Sequence, residues 1–126
     1  MPTEAKKAFS THLVDQARQR KREEREKARL AYIRRVAQSL DALSELVSFR
    51  EAYIFGSLTK AGSFRPGVSD VDIAIAGLRD EDFFKAASFL SRELGIEVDL
   101  IQLEGHRLEP EIKKEGLKWT KGSLPS

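Results

Sequence analysis

No glycine occurs before position 56, and the only proline in that span is Pro2. A stretch this long without a breaker reads as helix, because nothing in it would end one. Its second half carries an apolar stripe, Ile33, Val36, Leu40, Leu43 and Val47, at spacings of three and four. That is one face of a 3.6-residue helix, and it must pack on something. The middle, Arg18 to Arg29, has no apolar face. Its support comes from pairs four apart, such as Arg20–Glu24, Arg22–Glu26 and Glu23–Lys27, which stabilise an exposed helix weakly. A small apolar patch, Phe9, Leu13, Val14 and Ala17, precedes it. The spacing therefore predicts a charged helical arm over 1–29 that leads into a domain over 30–119, with a flexible tail at 120–126.

From Phe49 the period changes. Ala52-Tyr53-Ile54-Phe55 is a short apolar run ended by Gly56, and Val71 to Ile75 is a second, ended by Gly77. Both read as strands, as does Ile96 to Leu103. Between the last two, "RDEDFFKAASFLSRELG" reads as a helix with Asp80 as N-cap and Gly95 as C-terminal cap. Its expected apolar face is Phe83, Phe84, Ala87, Leu90 and Leu94. Leu108 to Glu115 is expected to form a short last helix, with Trp119 as a lid on the core. The order αββαβα predicts an α/β (α+β) fold: a small mixed sheet, helices on one face, a site on the other, and a long N-terminal helix.

Charge is unevenly spread. Residues 1–50 hold 12 Lys/Arg against 7 Asp/Glu, and residues 51–126 hold 10 against 13. A basic arm on a mildly acidic domain suggests an anionic or protein partner for the arm, or self-association through it. In the basic stretch 18–29, three interspersed glutamates and the lack of interleaved aromatics argue against direct nucleic-acid binding. There are no cysteines, which excludes disulfides and thiolate metal sites. No apolar run suggests a membrane span or a signal core, so a cytoplasmic location is expected. His12 and His106 lack metal-ligand partners at suitable spacing and read as surface residues.

The chemistry concentrates in "FGSLTKAGSFRPGVSDVDIAIAG", Phe55 to Gly77. Side chains alternate across a strand, so Val71, Ile73 and Ile75 share one face while Asp70, Asp72 and Ala74 share the other. The same alternation puts Glu97, Asp99 and Ile101 together on the third strand. If the two strands are neighbours, Asp70, Asp72 and Asp99 cluster on one side of the sheet. Clustered carboxylates repel, and a hard divalent cation such as Mg²⁺ relieves that repulsion. Gly56-Ser57 closes the first strand and opens what could be a helical turn. Backbone N–H groups at such a start bind phosphate, and glycine permits close approach. Read blandly, the same residues are a surface strand and an ordinary strand-end turn.

These residues resemble the nucleotidyltransferase fold of DNA polymerase beta, and within it the minimal single-domain branch, the MNT antitoxins. The resemblance spans roughly Ala31 to Trp119 and rests on "FGS", the loop, "SDVD" and the later "VD" in a strand. It implies that Gly56 and Ser57 hold the β- and γ-phosphates of ATP, with Lys60 and Arg65 as loop contacts. It implies that Asp70 and Asp72 bind two Mg²⁺ ions and that Asp99 is the third carboxylate, sharing a metal and accepting the acceptor's proton. It further implies transfer of AMP onto a tyrosine of a HEPN-type ribonuclease toxin. A non-catalytic antitoxin that works by occupation is the alternative, and a small-molecule (antibiotic) nucleotidyltransferase is a third. Twelve residues separate Ser57 from Asp70, slightly more than is typical of that branch, which bears mostly on Lys60 and Arg65.

Overall fold

In a computed structural model, residues 2–65 and 67–125 are described, those at 2–10 by their backbone alone. The breaker-free stretch forms a single helix, α1 (Pro2–Leu46), 45 residues and about 68 Å long. Its stripe does what the spacing predicts: Ile33, Val36, Leu40, Leu43 and Val47 are all buried. Residues 11–25 are exposed at every position, including Leu13 and Val14; the expected patch residue Phe9 lies outside the described side chains. Glu26 pairs with Arg29 and not with the expected Arg22.

Strand β1 (Glu51–Phe55) runs into a 3₁₀ turn, Gly56–Thr59, and β2 (Val71–Ala76) returns antiparallel to it. Helix α2 (Phe83–Leu94) carries the chain over to β3 (Val98–Gln102), which lies parallel to β2. Helix α3 (Glu109–Glu115) is followed by a two-residue strand, β4 (Leu117–Lys118), on the other side of β1. The sheet order is β3-β2-β1-β4. Strand β4 is an addition to the expected order. Two residues carry no periodicity, and only pairing with Tyr53 and Ile54 makes them a strand.

The sheet's two faces divide as alternation requires. Ala52, Ile54, Val71, Ile73, Ile75, Val98 and Leu100 pack under α1 and α2 in the main core. Tyr53, Ala74, Ala76 and Leu103 face the other way, onto Ile112 of α3. The expected arrangement, with helices confined to one face, is therefore corrected. Helix α3 covers part of the second face, because Tyr53 and Ala74 make that face apolar beyond the aspartates.

The start of α2 also differs. Asp80–Asp82 forms its own 3₁₀ turn, and Asp80 Oδ1 accepts a hydrogen bond from Gln102 Nε2 (2.7 Å) instead of capping the helix. Helix α2 starts two residues later than a cap at Asp80 implies. Ala86 joins Leu90 and Leu94 in the core, while Phe84 is left 80% exposed. Gly95, at φ +67, ends the helix as expected. Trp119 is buried, stacks against Phe49 and donates its indole N–H to Asp41 Oδ1 at 2.9 Å. The tail beyond it touches α1 through an ion pair of Lys121 with Glu45 and a bond from the Gly122 amide to Asp41.

Candidate active site

The parallel pairing of β2 with β3 sets Asp72 directly beside Asp99. On the other side Asp72 is in register with Phe55, the last residue of β1. Asp72 therefore stands in the sheet's middle, between the strand that carries Asp99 and the turn that begins at Gly56. Its charge is disfavoured there. Burial first, then the neighbouring charges of Asp99 and Asp70, push its carboxyl up from an ordinary 3.8 to about 6. Asp70 is exposed, one residue ahead of β2, and acts on Asp72 through its charge. Glu97 precedes β3 and is exposed; its carbonyl accepts a hydrogen bond from the Val71 amide.

Gly56 has φ +77, a left-handed conformation in which side chains are strained. It also has no room for one. A Cβ there would overlap Asp72 Oδ2 and lie 3.0 Å from its Cγ. The Gly56 backbone thus rests directly on the Asp72 carboxylate. Beyond it, Thr59 Oγ1 bonds back to the Gly56 carbonyl (2.7 Å) and the Lys60 amide to the Ser57 carbonyl (3.2 Å), which closes the turn. Leu58 points inward and is fully buried.

The loop that follows is anchored in a way the sequence reading missed. Phe64 is 2% exposed and meets Tyr32 of α1 edge-on at 5.0 Å. A lone aromatic in a Gly/Ser/Pro loop was an available signal. Arg65 contributes its backbone to a turn closed by Ser69, with its amide donating to Ser69 Oγ (3.0 Å) and the Ser69 amide returning to its carbonyl (2.8 Å). Its side chain is exposed, and no described contact brings it to the carboxylates. Lys60 lines a hollow of about 130 Å³ with Gly56, Thr59 and, from α3, Glu111 and Glu115. A second, open hollow of about 560 Å³ lies at the free edge of β3, where Ile101 and Gln102 meet Phe84 and His106. Ile101 shares a sheet face with Asp99, about 6.7 Å further along the strand.

Among the described residues, no three carboxylate or imidazole groups converge into a ready cation cage. Of the expected trio, Asp72 and Asp99 stand in register on neighbouring strands, and Asp70, one residue ahead of β2, is near enough for its charge to act on Asp72. The donor set nonetheless fits a hard divalent cation. It is all carboxylate oxygen, it is open to solvent at Asp70 and Asp99, and its central member carries a charge its surroundings disfavour.

The sheet thus carries a Gly-Ser turn at the end of β1 and neighbouring aspartates on β2 and β3. Residues 33–121 match the family described as nucleotidyltransferase domain, and the chain belongs to that family. No curated protein and no solved structure matches the chain. Nucleotidyltransferase domains transfer a nucleotidyl group from a nucleoside triphosphate and generally use a divalent metal. Among the described residues, no helix is long and apolar enough to cross a membrane.

Proposed function

We propose that this chain transfers AMP from ATP to a tyrosine hydroxyl of a HEPN-type ribonuclease toxin and so acts as its antitoxin. The observation that carries the reading is the contact of Gly56 with Asp72, which makes the phosphate turn and the carboxylate pair two walls of one site. In this reading the amides of Gly56 and Ser57, with the Ser57 hydroxyl, take the β- and γ-phosphates, and Lys60 and Arg65 add positive charge from the loop. Asp70, Asp72 and Asp99 are the residues that would hold Mg²⁺, two ions in all. When bound, the metal neutralises charge on the phosphates and favours ionisation of the attacking hydroxyl.

The acceptor approaches over β3, whose free edge carries the hollow between Ile101 and Phe84, about 6.7 Å along the strand from Asp99. Asp99 accepts the phenolic proton. The phenolic oxygen bonds to the α-phosphorus, the bond from that phosphorus to the bridging oxygen breaks, and pyrophosphate leaves. The exposed stretch 11–25 of α1 is the surface offered to the toxin or to a second copy of this chain.

Incubation with α-labelled ATP, Mg²⁺ and the protein encoded beside it tests this. Label on the partner, lost with Asp70→Ala/Asp72→Ala, is the expected result. No label with the wild-type chain, or undiminished label with the variant, overturns it. Full inhibition of the toxin by the variant without nucleotide assigns neutralisation to binding alone.

A further inference from the structure

We infer that Arg29, in the middle of α1, is a positioning residue for the phosphate turn, so that the long helix is part of the nucleotide site and not an appendage to it. The inference rests on the nucleotide site proposed above. Arg29 is 14% exposed despite lying at the end of the charge run. Its Nη1 donates to the carbonyl oxygen of Leu58 at 2.9 Å, 29 residues away and inside the 3₁₀ turn. Its Nε and Nη2 donate to the two carboxylate oxygens of Glu26, at 2.9 and 2.5 Å. The guanidinium is thus held flat by a fork-shaped pairing on one side and offers its remaining N–H to the turn on the other.

The geometry separates this from an ordinary surface ion pair. A 3₁₀ turn this short has few internal bonds, and its carbonyls need outside partners. The Leu58 carbonyl finds its partner in a charged donor from another element. Leu58 itself is fully buried, so the turn is clamped by its side chain below and by its carbonyl from α1. Three residues on, Tyr32 holds Phe64, and α1 therefore grips the loop at both Leu58 and Phe64. Two residues before Leu58 in the same turn, the Gly56 backbone bears on the Asp72 carboxylate. A shift of the turn is passed straight to the phosphate-binding amides and to Asp72.

The charge run on α1 thereby has a role at its C-terminal end, where Arg29 meets the turn. Helix α1 leaves the domain just above Arg29, and residues 11–25 are exposed. Arg22 and Arg25, at the end of that stretch, line a hollow with Glu26 and with Ala61 and Gly62 of the loop, so a partner bound there acts on α1 next to the Glu26–Arg29 pair.

The test uses the full chain in three variants: Arg29→Ala, Arg29→Lys, and Val36→Ala, a buried α1 substitution about two turns further along the helix that donates nothing to the turn's carbonyls. Two quantities are read. Amide exchange at Leu58–Lys60 is followed without nucleotide, and binding of Mg-ATP and of inorganic triphosphate is measured by calorimetry. The expected result is faster exchange in the turn and about five- to tenfold weaker binding of both ligands with Arg29→Ala, with partial recovery in Arg29→Lys. Val36→Ala lowers the melting temperature and leaves both quantities unchanged. Exchange in the turn that is the same in Arg29→Ala as in the wild type overturns the inference, as does a binding loss matched by Val36→Ala. Failure of the wild type to bind either ligand overturns the nucleotide-site reading and this inference with it. That outcome is distinct from equal binding by wild type and Arg29→Ala, which overturns this inference alone.

Discussion

Replacing Gly56 with alanine separates the two reasons for glycine at the turn. The first is backbone conformation: at φ +77 an L-residue is strained by about 1–2 kcal/mol. Part of that is offset, by about 0.4–1 kcal/mol, because alanine narrows the unfolded ensemble. The net loss is about 1 kcal/mol, or roughly 3–6 °C in melting temperature for a chain of this size. The second reason is contact. The new Cβ overlaps Asp72 Oδ2 and lies 3.0 and 3.3 Å from its Cγ and Cβ. Rotating the carboxylate tip relieves the overlap but leaves the crowding at Cγ and Cβ, so the carboxylate or the turn must move. A displacement of about 1 Å at a reacting centre costs about a hundredfold in rate. Gly95→Ala is the control. Its φ is +67 and its Cβ would meet nothing within 4 Å, so it carries the conformational strain without the contact. Thermal melts and labelled-nucleotide transfer on both variants are the assay. Similar melting losses are expected for the two, with transfer reduced about a hundredfold only in Gly56→Ala. Transfer by Gly56→Ala within a few-fold of wild type refutes the argument, and so does an equal loss in Gly95→Ala.

Asp72→Asn is expected to stabilise the metal-free protein near neutral pH while abolishing transfer. With its carboxyl raised from 3.8 to about 6, chiefly by burial, native Asp72 binds its proton more tightly than the unfolded chain does. Stability therefore falls as pH rises through that window, and the deficit persists above it. The melting advantage of Asp72→Asn in chelator should be present at pH 7.5 and shrink toward pH 4; an advantage that grows on acidification refutes the assignment. Phe64→Ala and Phe84→Ala form a contrasting pair. Removing the buried Phe64 should cost about 3–5 kcal/mol in denaturant titrations. Phe84→Ala should change stability by less than about 0.5 kcal/mol and, on the proposed function, should raise the KM for the protein acceptor without altering affinity for ATP. Equal stability losses from the two, or an unchanged acceptor KM, go against the placement of these rings.

Several elements were legible because their signals are local. The stripe from Ile33 to Val47 names the buried face of α1 by spacing alone. Strand alternation sorts Val71, Ile73 and Ile75 from Asp72 and Ala74, and Gly95 marks the end of α2. Strand phase also pointed to Asp72 and Asp99 as co-facial, a statement that needed only the assumption that β2 and β3 are neighbours. Phe84 was misplaced because it lies at the edge of the apolar stripe, and the face that packs is centred on Ala86, Leu90 and Leu94. Strand β4 and the placement of α3 on the second face were out of reach, being set by pairing and packing partners distant in the chain.

The sequence by itself determined the helix, the strand phases, and the residue types that a phosphate and a divalent cation would meet. Periodicity and the conformational limits of glycine act over a few residues, so these properties are written where they occur. The tertiary structure decided that Asp72 sits directly beside Asp99 and under Gly56, that Phe64 anchors the loop, and that Arg29 reaches Leu58. Each of those is a contact between segments far apart in the chain. A charged residue in a run of charges looks the same whether it ends in water or against a carbonyl, and only the packed fold tells the two apart.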